Sequence, residues 1–161
     1  MIRIVTTAAM TLLLMSIMAE AASPRIGRPV DAIRLPNLTG KVIDTSQTRG
    51  KTVVVYFWNN LCGCTEQLIA LNRFVSNQKG RPFVFISVNE GQSKAIVEGV
   101  IRDNKLPYEA LLDSDLAVGK KDFGIRVLPT IFVIDKSGIL REKLIGMVDT
   151  KRLESIIQRY L

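Results

Sequence analysis

Six apolar residues in succession, Val53-Val54-Val55-Tyr56-Phe57-Trp58, leave this chain no polar face to turn to water. Such a run reads as a strand buried inside a sheet. The stretch that follows, Trp58 to Gln67, holds both cysteines, Cys62 and Cys64. Beyond it Leu68, Leu71 and Phe74/Val75 recur at the spacing of one helix face. The cysteines therefore stand where a buried strand ends and a helix begins. The first turn of a helix has free N–H groups and a partial positive charge, and both favour an anion. A thiolate placed there is stabilised, so its pKa falls and it becomes a nucleophile near neutral pH.

Length and charge narrow the possibilities. The chain has 161 residues, enough for one domain with its own core. Its net charge of +7 is scattered, with Lys41, Arg49, Lys79, Lys120 and Arg141 far apart in sequence. No basic cluster interleaved with aromatics stands out, so no nucleic-acid partner is expected. A basic surface favours acidic partners or anionic membrane. There is no histidine. That removes Cys–His catalysis and most zinc or copper sites, and no metal or cofactor is expected.

Residues 1–21 read as a signal peptide. Arg3 supplies a basic start, Ile4 to Ala19 is mostly apolar, and Ala19-Glu20-Ala21 has the A-x-A form of a cleavage site. Thr6, Thr7, Thr11 and Ser16 make the run too polar and too short for an ordinary membrane span. Cleavage leaves no transmembrane segment; the alternative is a retained N-terminal anchor facing the periplasm. Either way the folded part is expected outside the cytoplasm, in the periplasm, where paired cysteines are oxidised.

Residues 22–32, with Pro24, Gly27 and Pro29, read as an extended lead-in, and 33–161 as the folded domain. Asn37-Leu38-Thr39-Gly40 marks a hairpin within 33–44. Strands are expected at 52–58, 83–88, 108–112 and 130–134, with 139–146 as an antiparallel partner after the turn Asp135-Lys136-Ser137-Gly138. Gly80 is expected to cap the cysteine helix, and Ser93 to start a helix whose apolar face is Ile96, Val97, Val100 and Ile101. A short helix is placed at 116–122. A final one carries Leu153, Ile156, Ile157, Tyr160 and Leu161 on one stripe. Strands alternating with helices, closed by a hairpin and a helix, give an α/β sheet of mixed direction.

This order of motifs resembles the thioredoxin fold, and within it the TlpA/ResA-like exported thiol-disulfide oxidoreductases of the redoxin superfamily. The likeness covers about residues 30–161. Leu35 to Lys41 is similar to that family's opening hairpin, Val53 to Trp58 to its strand before the active site, and Phe123 to Asp135 to its cis-proline segment. The resemblance implies a thioredoxin-like three-layer fold: a mixed central sheet, helices on both faces and an N-terminal hairpin. It implies protein thiol and disulfide substrates, with a membrane electron donor as a further partner. It also implies a cis bond before Pro129 beside the cysteines. The Leu128 backbone would then be free to pair with an extended substrate strand. Leu128, Pro129 and Trp58 are the candidate substrate contacts, although Trp58 reads first as core.

The chain departs from the family at the cysteines. The family has Trp-Cys-x-x-Cys. Here Leu61 replaces the tryptophan and only Gly63 separates the cysteines. Gln67 stands where many members place a glutamate that assists proton transfer, and Tyr56 where thioredoxins have a buried aspartate. Glu66, Gln67 and Glu90 remain the candidate proton relays. A gapless alternative is that Cys62-Gly63-Cys64-Thr65-Glu66-Gln67 resembles the Cys-Gly-x-Thr-x-Gln of glutathione peroxidases, which implies a thiol peroxidase. Outside enzymes, the pair could serve a thiol metal carrier or a noncatalytic envelope assembly factor. A bridge over one residue closes almost no loop and is a poor staple. In the redox reading Cys62, at the helix tip, attacks and Cys64 resolves.

The spacing also bears on poise. Residues two apart on a helix are about 200° around its axis, so their side chains diverge. The cysteines can bond only if Gly63 leaves helical geometry, which glycine permits most easily. The bridge is expected to carry strain that makes the centre isomerase-like or oxidase-like.

Overall fold

The structure, a computed structural model, describes residues 23–161. The signal-peptide reading of 1–21 lies outside the described residues. A hairpin opens the fold, β1 (Arg34–Pro36) and β2 (Val42–Asp44), paired antiparallel. Then follow β3 (Thr52–Trp58), α1 (Cys64–Ser76), β4 (Phe83–Glu90), α2 (Lys94–Asp103) and β5 (Glu109–Asp113). A π-helical turn at Ala117–Asp122 leads on to β6 (Thr130–Ile134), β7 (Leu140–Ile145) and α3 (Thr150–Gln158).

The main sheet has the order β5-β4-β3-β6-β7. β3 pairs in parallel with β4 and antiparallel with β6, so the sheet is mixed. Every residue of β3 is buried, because the strand is central in the order and covered on both faces. Its β-branched and aromatic side chains suit that position. Val54, Tyr56 and Trp58 pack with Leu68 and Leu71 of α1, Val97 of α2 and Leu153, Ile156 and Ile157 of α3. Val53, Val55 and Phe57 point the other way, into a core closed by Ile33 and Leu35 of the hairpin segment and by Phe123 and Ile125. The layers are unequal: the α-helices share one face, while the hairpin, the π-helical turn and the loop after it cover the other.

Several boundaries differ from the sequence reading. α1 ends at Ser76 with Asn77 as its cap, and Gly80 lies beyond it in a separate turn with φ +83°. Tightened bonds from Gln78 N–H to Val75 O and from Lys79 N–H to Ser76 O end the helix early. β4 runs to Glu90, and α3 stops before Tyr160 and Leu161, which still pack on the core. Ile96 points outward, 44% exposed, and leaves Val97 as the buried residue of α2. The lead-in is tied to the sheet: Gly27 N–H bonds Leu140 O and Val30 N–H bonds Gly138 O. No helix among the described residues is long and apolar enough to cross a membrane.

Candidate active site

β3 delivers the chain to the C-terminal edge of the sheet at Trp58. The next residues form an irregular turn. Asn59 Oδ1 accepts the Leu61 N–H at 3.0 Å, a side chain closing its own turn. Gly63 then adopts φ +70°, ψ 7°, a left-handed conformation that costs glycine little, and it is the N-cap of α1. The helix therefore begins at Cys64 and leaves Cys62 outside it. The two cysteines form a disulfide, with Cα atoms 5.2 Å apart. Gly63 leaves helical geometry between them, the condition the spacing demanded.

The two sulfurs are not equivalent. Cys64 is fully buried, whereas Cys62 is half-buried, its Sγ 3.4 Å from the Asn59 carbonyl oxygen. An attacking thiolate from outside reaches Cys62 more readily. Behind Cys64 the Tyr56 hydroxyl lies 2.9 Å from Gln67 Oε1, to which it donates, and 3.2 Å from the Cys64 carbonyl. Gln67 Nε2 in turn donates to the Val148 carbonyl. Burial, reinforced by Tyr108 and Glu66, holds the Tyr56 phenol above its ordinary range. The group behind Cys64 is thus a neutral phenol bonded to a neutral amide.

The candidate relays separate. Glu66 is exposed in the first turn of α1, and its carboxylate leans toward Gly63: a Cβ there would lie 3.7 Å from Glu66 Oε2. Gln67 is buried and fixes α1 to the segment after β7. Glu90 belongs to another group. It ends β4 opposite Asp113 of β5, and its carboxyl is set against Gly119. Burial first, then the Asp113 carboxylate, push Glu90 up to about 8, with Lys120 pulling the other way. Its Oε1 has no hydrogen-bond partner among the described residues.

Trp58 needs correction as a substrate contact. It is fully buried on the face that packs against α1, so its ring is core and touches no incoming chain. The Leu128–Pro129 peptide bond is cis. Phe57 pairs with Thr130 in the β3–β6 ladder, so the next step brings Pro129 level with Trp58, at the same edge of the sheet as the cysteine turn. Pro129 O accepts the Gly146 N–H, while Leu128 makes no backbone hydrogen bond among the described residues. Leu61, Val127 and Met147 are exposed apolar side chains on the loops of this edge, at 83%, 50% and 56%. Nothing in local pattern marks Gln92, which grips Asn60 from the β4–α2 loop. Its polarity in a loop at the C-terminal edge of parallel strands was the available sign.

Residues 26–143 match the AhpC/TSA family. The chain belongs to the AhpC/TSA family. Among its relatives, the thiol:disulfide interchange protein DsbE of Pseudomonas fluorescens biotype C is 30% identical over 134 residues, 81% of this chain and 72% of that protein. The thiol-disulfide oxidoreductase ResA of Bacillus cereus is 25% identical over 142 residues, 88% of this chain and 82% of that one. The crystal structure of a thioredoxin-family thiol:disulfide interchange protein from Chlorobium tepidum superposes with a TM-score of 0.74 at 21% identity, covering 86% of this chain and 99% of the other. These likenesses make the fold thioredoxin-like. In this AhpC/TSA member the cysteine pair at the strand-to-helix junction makes thiol–disulfide oxidoreduction its chemistry, the enzyme class of both relatives.

Proposed function

We propose that the chain is an exported thiol-disulfide oxidoreductase that exchanges its Cys62–Cys64 disulfide with the thiols of other proteins. The observation that carries this is the asymmetry of the pair: a half-buried Cys62 bonded to a fully buried Cys64 at the start of α1. A substrate thiolate attacks Cys62 Sγ. The Cys62–Cys64 bond breaks and Cys64 leaves with the electron pair, favoured by its place at the N-terminus of α1. A second substrate thiolate then attacks the substrate sulfur of the mixed disulfide and releases Cys62. The substrate has gained a disulfide and lost two electrons, and the enzyme holds two thiols. Run backwards, the same steps reduce a substrate.

Substrate would lie along the Leu128 backbone as an added strand, against Leu61, Val127 and Met147. Glu66, whose carboxylate reaches the Cys-Gly-Cys turn, is the proton relay in this reading, and Gln67 with Tyr56 keeps Cys64 in a neutral, closed environment. Glu90 takes no part. Export rests on Arg3, the apolar run and Ala19-Glu20-Ala21, with the lead-in 22–32 and the domain 33–161 following residues 1–21. A membrane donor would reset the dithiol for reducing turnover.

One pair of measurements tests the function. The oxidised protein, mixed with a reduced unfolded protein, should form a disulfide in that substrate while its own two thiols appear. Hydrogen peroxide added to the reduced protein with a thiol donor should be consumed no faster than by free cysteine. Fast peroxide turnover without protein exchange would move the assignment to a thiol peroxidase.

A further inference from the structure

The segment Asn59 to Gly63 belongs to no strand or helix, yet it must present Cys62 to Cys64 in one geometry. Its hydrogen bonds to another element, among the described residues, all run to a single side chain, Gln92. We propose that Gln92 is the positioning residue of the redox turn: it clamps Asn60 and thereby sets how readily Cys62 and Cys64 meet. This rests on the thiol-exchange reading above.

The clamp is two-sided. Gln92 Oε1 accepts the Asn60 backbone N–H at 2.9 Å, and Gln92 Nε2 donates to Asn60 Oδ1. Main chain and side chain of one residue are held by one amide, which leaves Asn60 little freedom to rotate or withdraw. Gln92 is itself anchored. Its N–H donates to Asn89 Oδ1 at 3.2 Å, and its Oε1 also accepts from Asn89 Nδ2 at 2.9 Å. Asn89 is buried, 1% exposed, and sits level with Trp58 in the parallel β3–β4 ladder. The chain of contacts therefore runs from a fixed strand position, through Gln92, to the residue two before the attacking cysteine. On the other side of Asn60, Asn59 holds the Leu61 N–H through its side chain and faces Cys62 Sγ with its carbonyl. After reduction that carbonyl can accept the Cys62 thiol proton, so the clamped turn also has a place for the dithiol.

The consequence lies in the equilibrium rather than in the fold alone. Whether a dithiol closes depends on the effective concentration of one thiol at the other, and that depends on how narrowly the turn is held. With Gln92 in place, Cys62 stays over Cys64 after reduction. Without it the turn spreads, the two thiols meet less often, and the oxidised form loses ground. A residue that merely glued two loops together would change stability and leave this constant where it was.

The test is equilibration of the full mature protein with reduced and oxidised glutathione. Two glutathione thiols open the Cys62–Cys64 bond and leave as glutathione disulfide, and the reverse closes it. Gln92→Ala should lower the equilibrium constant for the oxidised form by about tenfold, which is about 30 mV. Asn60→Ala, which keeps the backbone N–H but loses the side-chain half of the clamp, should show a smaller loss. The double variant should fall no further than Gln92→Ala, since the pair acts as one unit. An unchanged constant in both single variants, whatever their urea midpoints, overturns the proposal, as does a rise in the constant. Failure of the underlying reading is distinct: there the wild-type protein itself would not exchange with glutathione.

Discussion

Cys62→Ser loses exchange with protein substrates by about a thousandfold or more, because the reachable sulfur of the pair is gone. Cys64→Ser behaves differently. It keeps a half-buried thiol at the turn and lacks the partner that resolves a mixed disulfide, so it should accumulate covalent complexes with its substrates through Cys62. The asymmetry follows from burial: Cys64 has no exposed surface and lies against Tyr56 and Trp58, whereas Cys62 stands outside α1. Alkylation of the single-cysteine variants across pH checks the assignment. Cys62, the half-buried sulfur, should react first at neutral pH, ahead of the fully buried Cys64. Trapped complexes on Cys64 in the Cys62→Ser variant, with none in the converse, would reverse the roles.

Gly119→Ala should destabilise the fold by about 2–4 kcal/mol. A Cβ at this position would overlap both carboxyl oxygens of Glu90. The carboxyl has nowhere to swing: it ends a central strand, is 7% exposed, and faces Asp113. Asp113 is committed as well, since its Oδ2 accepts the Gly119 N–H at 2.6 Å and its Oδ1 the Val118 N–H at 3.3 Å. The same cluster gives a pH dependence. Glu90 ionises at 4.5 ordinarily and at about 8 in the fold, so between these values the folded chain holds a proton that the unfolded chain has lost. Its contribution is fully present below 4.5 and gone above about 8. Stability thus falls as pH rises, by up to about 1.4 kcal/mol per pH unit. Glu90→Gln should remove that slope, match the wild type near pH 4 and exceed it at pH 8. Urea midpoints at pH 4, 6 and 8 read both variants. A wild-type midpoint with no such fall would show that Glu90 ionises in the fold as it does in water.

Much of this molecule is legible in the sequence because local chemistry and global placement agree. The run from Val53 to Trp58 has no polar position and becomes the fully buried central strand. The cysteines follow it, Cys62 just before and Cys64 first in a helix whose Leu68 and Leu71 are fully buried. Asn37 to Gly40 carries the turn between β1 and β2, with Asn37 Oδ1 holding the N–H groups of Thr39 and Lys41. What escapes a linear reading is contact between distant segments. The meeting of Gln92 with Asn60 depends on Trp58 lying level with Asn89, a register that no local pattern encodes. The fit of Glu90 against Gly119 joins a strand end to a π-helical turn, and either residue alone looks like an ordinary charge or an ordinary breaker. Trp58 reads first as core and is core: strand parity puts its ring with Val54 and Tyr56, facing α1, and only its place in the substrate-contact set falls away.

We infer that Cys62-Gly63-Cys64 is a reversible redox centre whose short spacing favours giving or reshuffling disulfides over reducing them. Side chains two residues apart diverge on a regular helix, and the pair closes here only because Gly63 steps out of it. That preference is tested by the reduction potential of the wild-type protein against a graded series of glutathione ratios, read by the mass of the alkylated species. The expected result is a single reversible two-electron transition with a potential above the thioredoxin value of about −270 mV. A potential at or below that value, or a disulfide that never opens across the series, would contradict it.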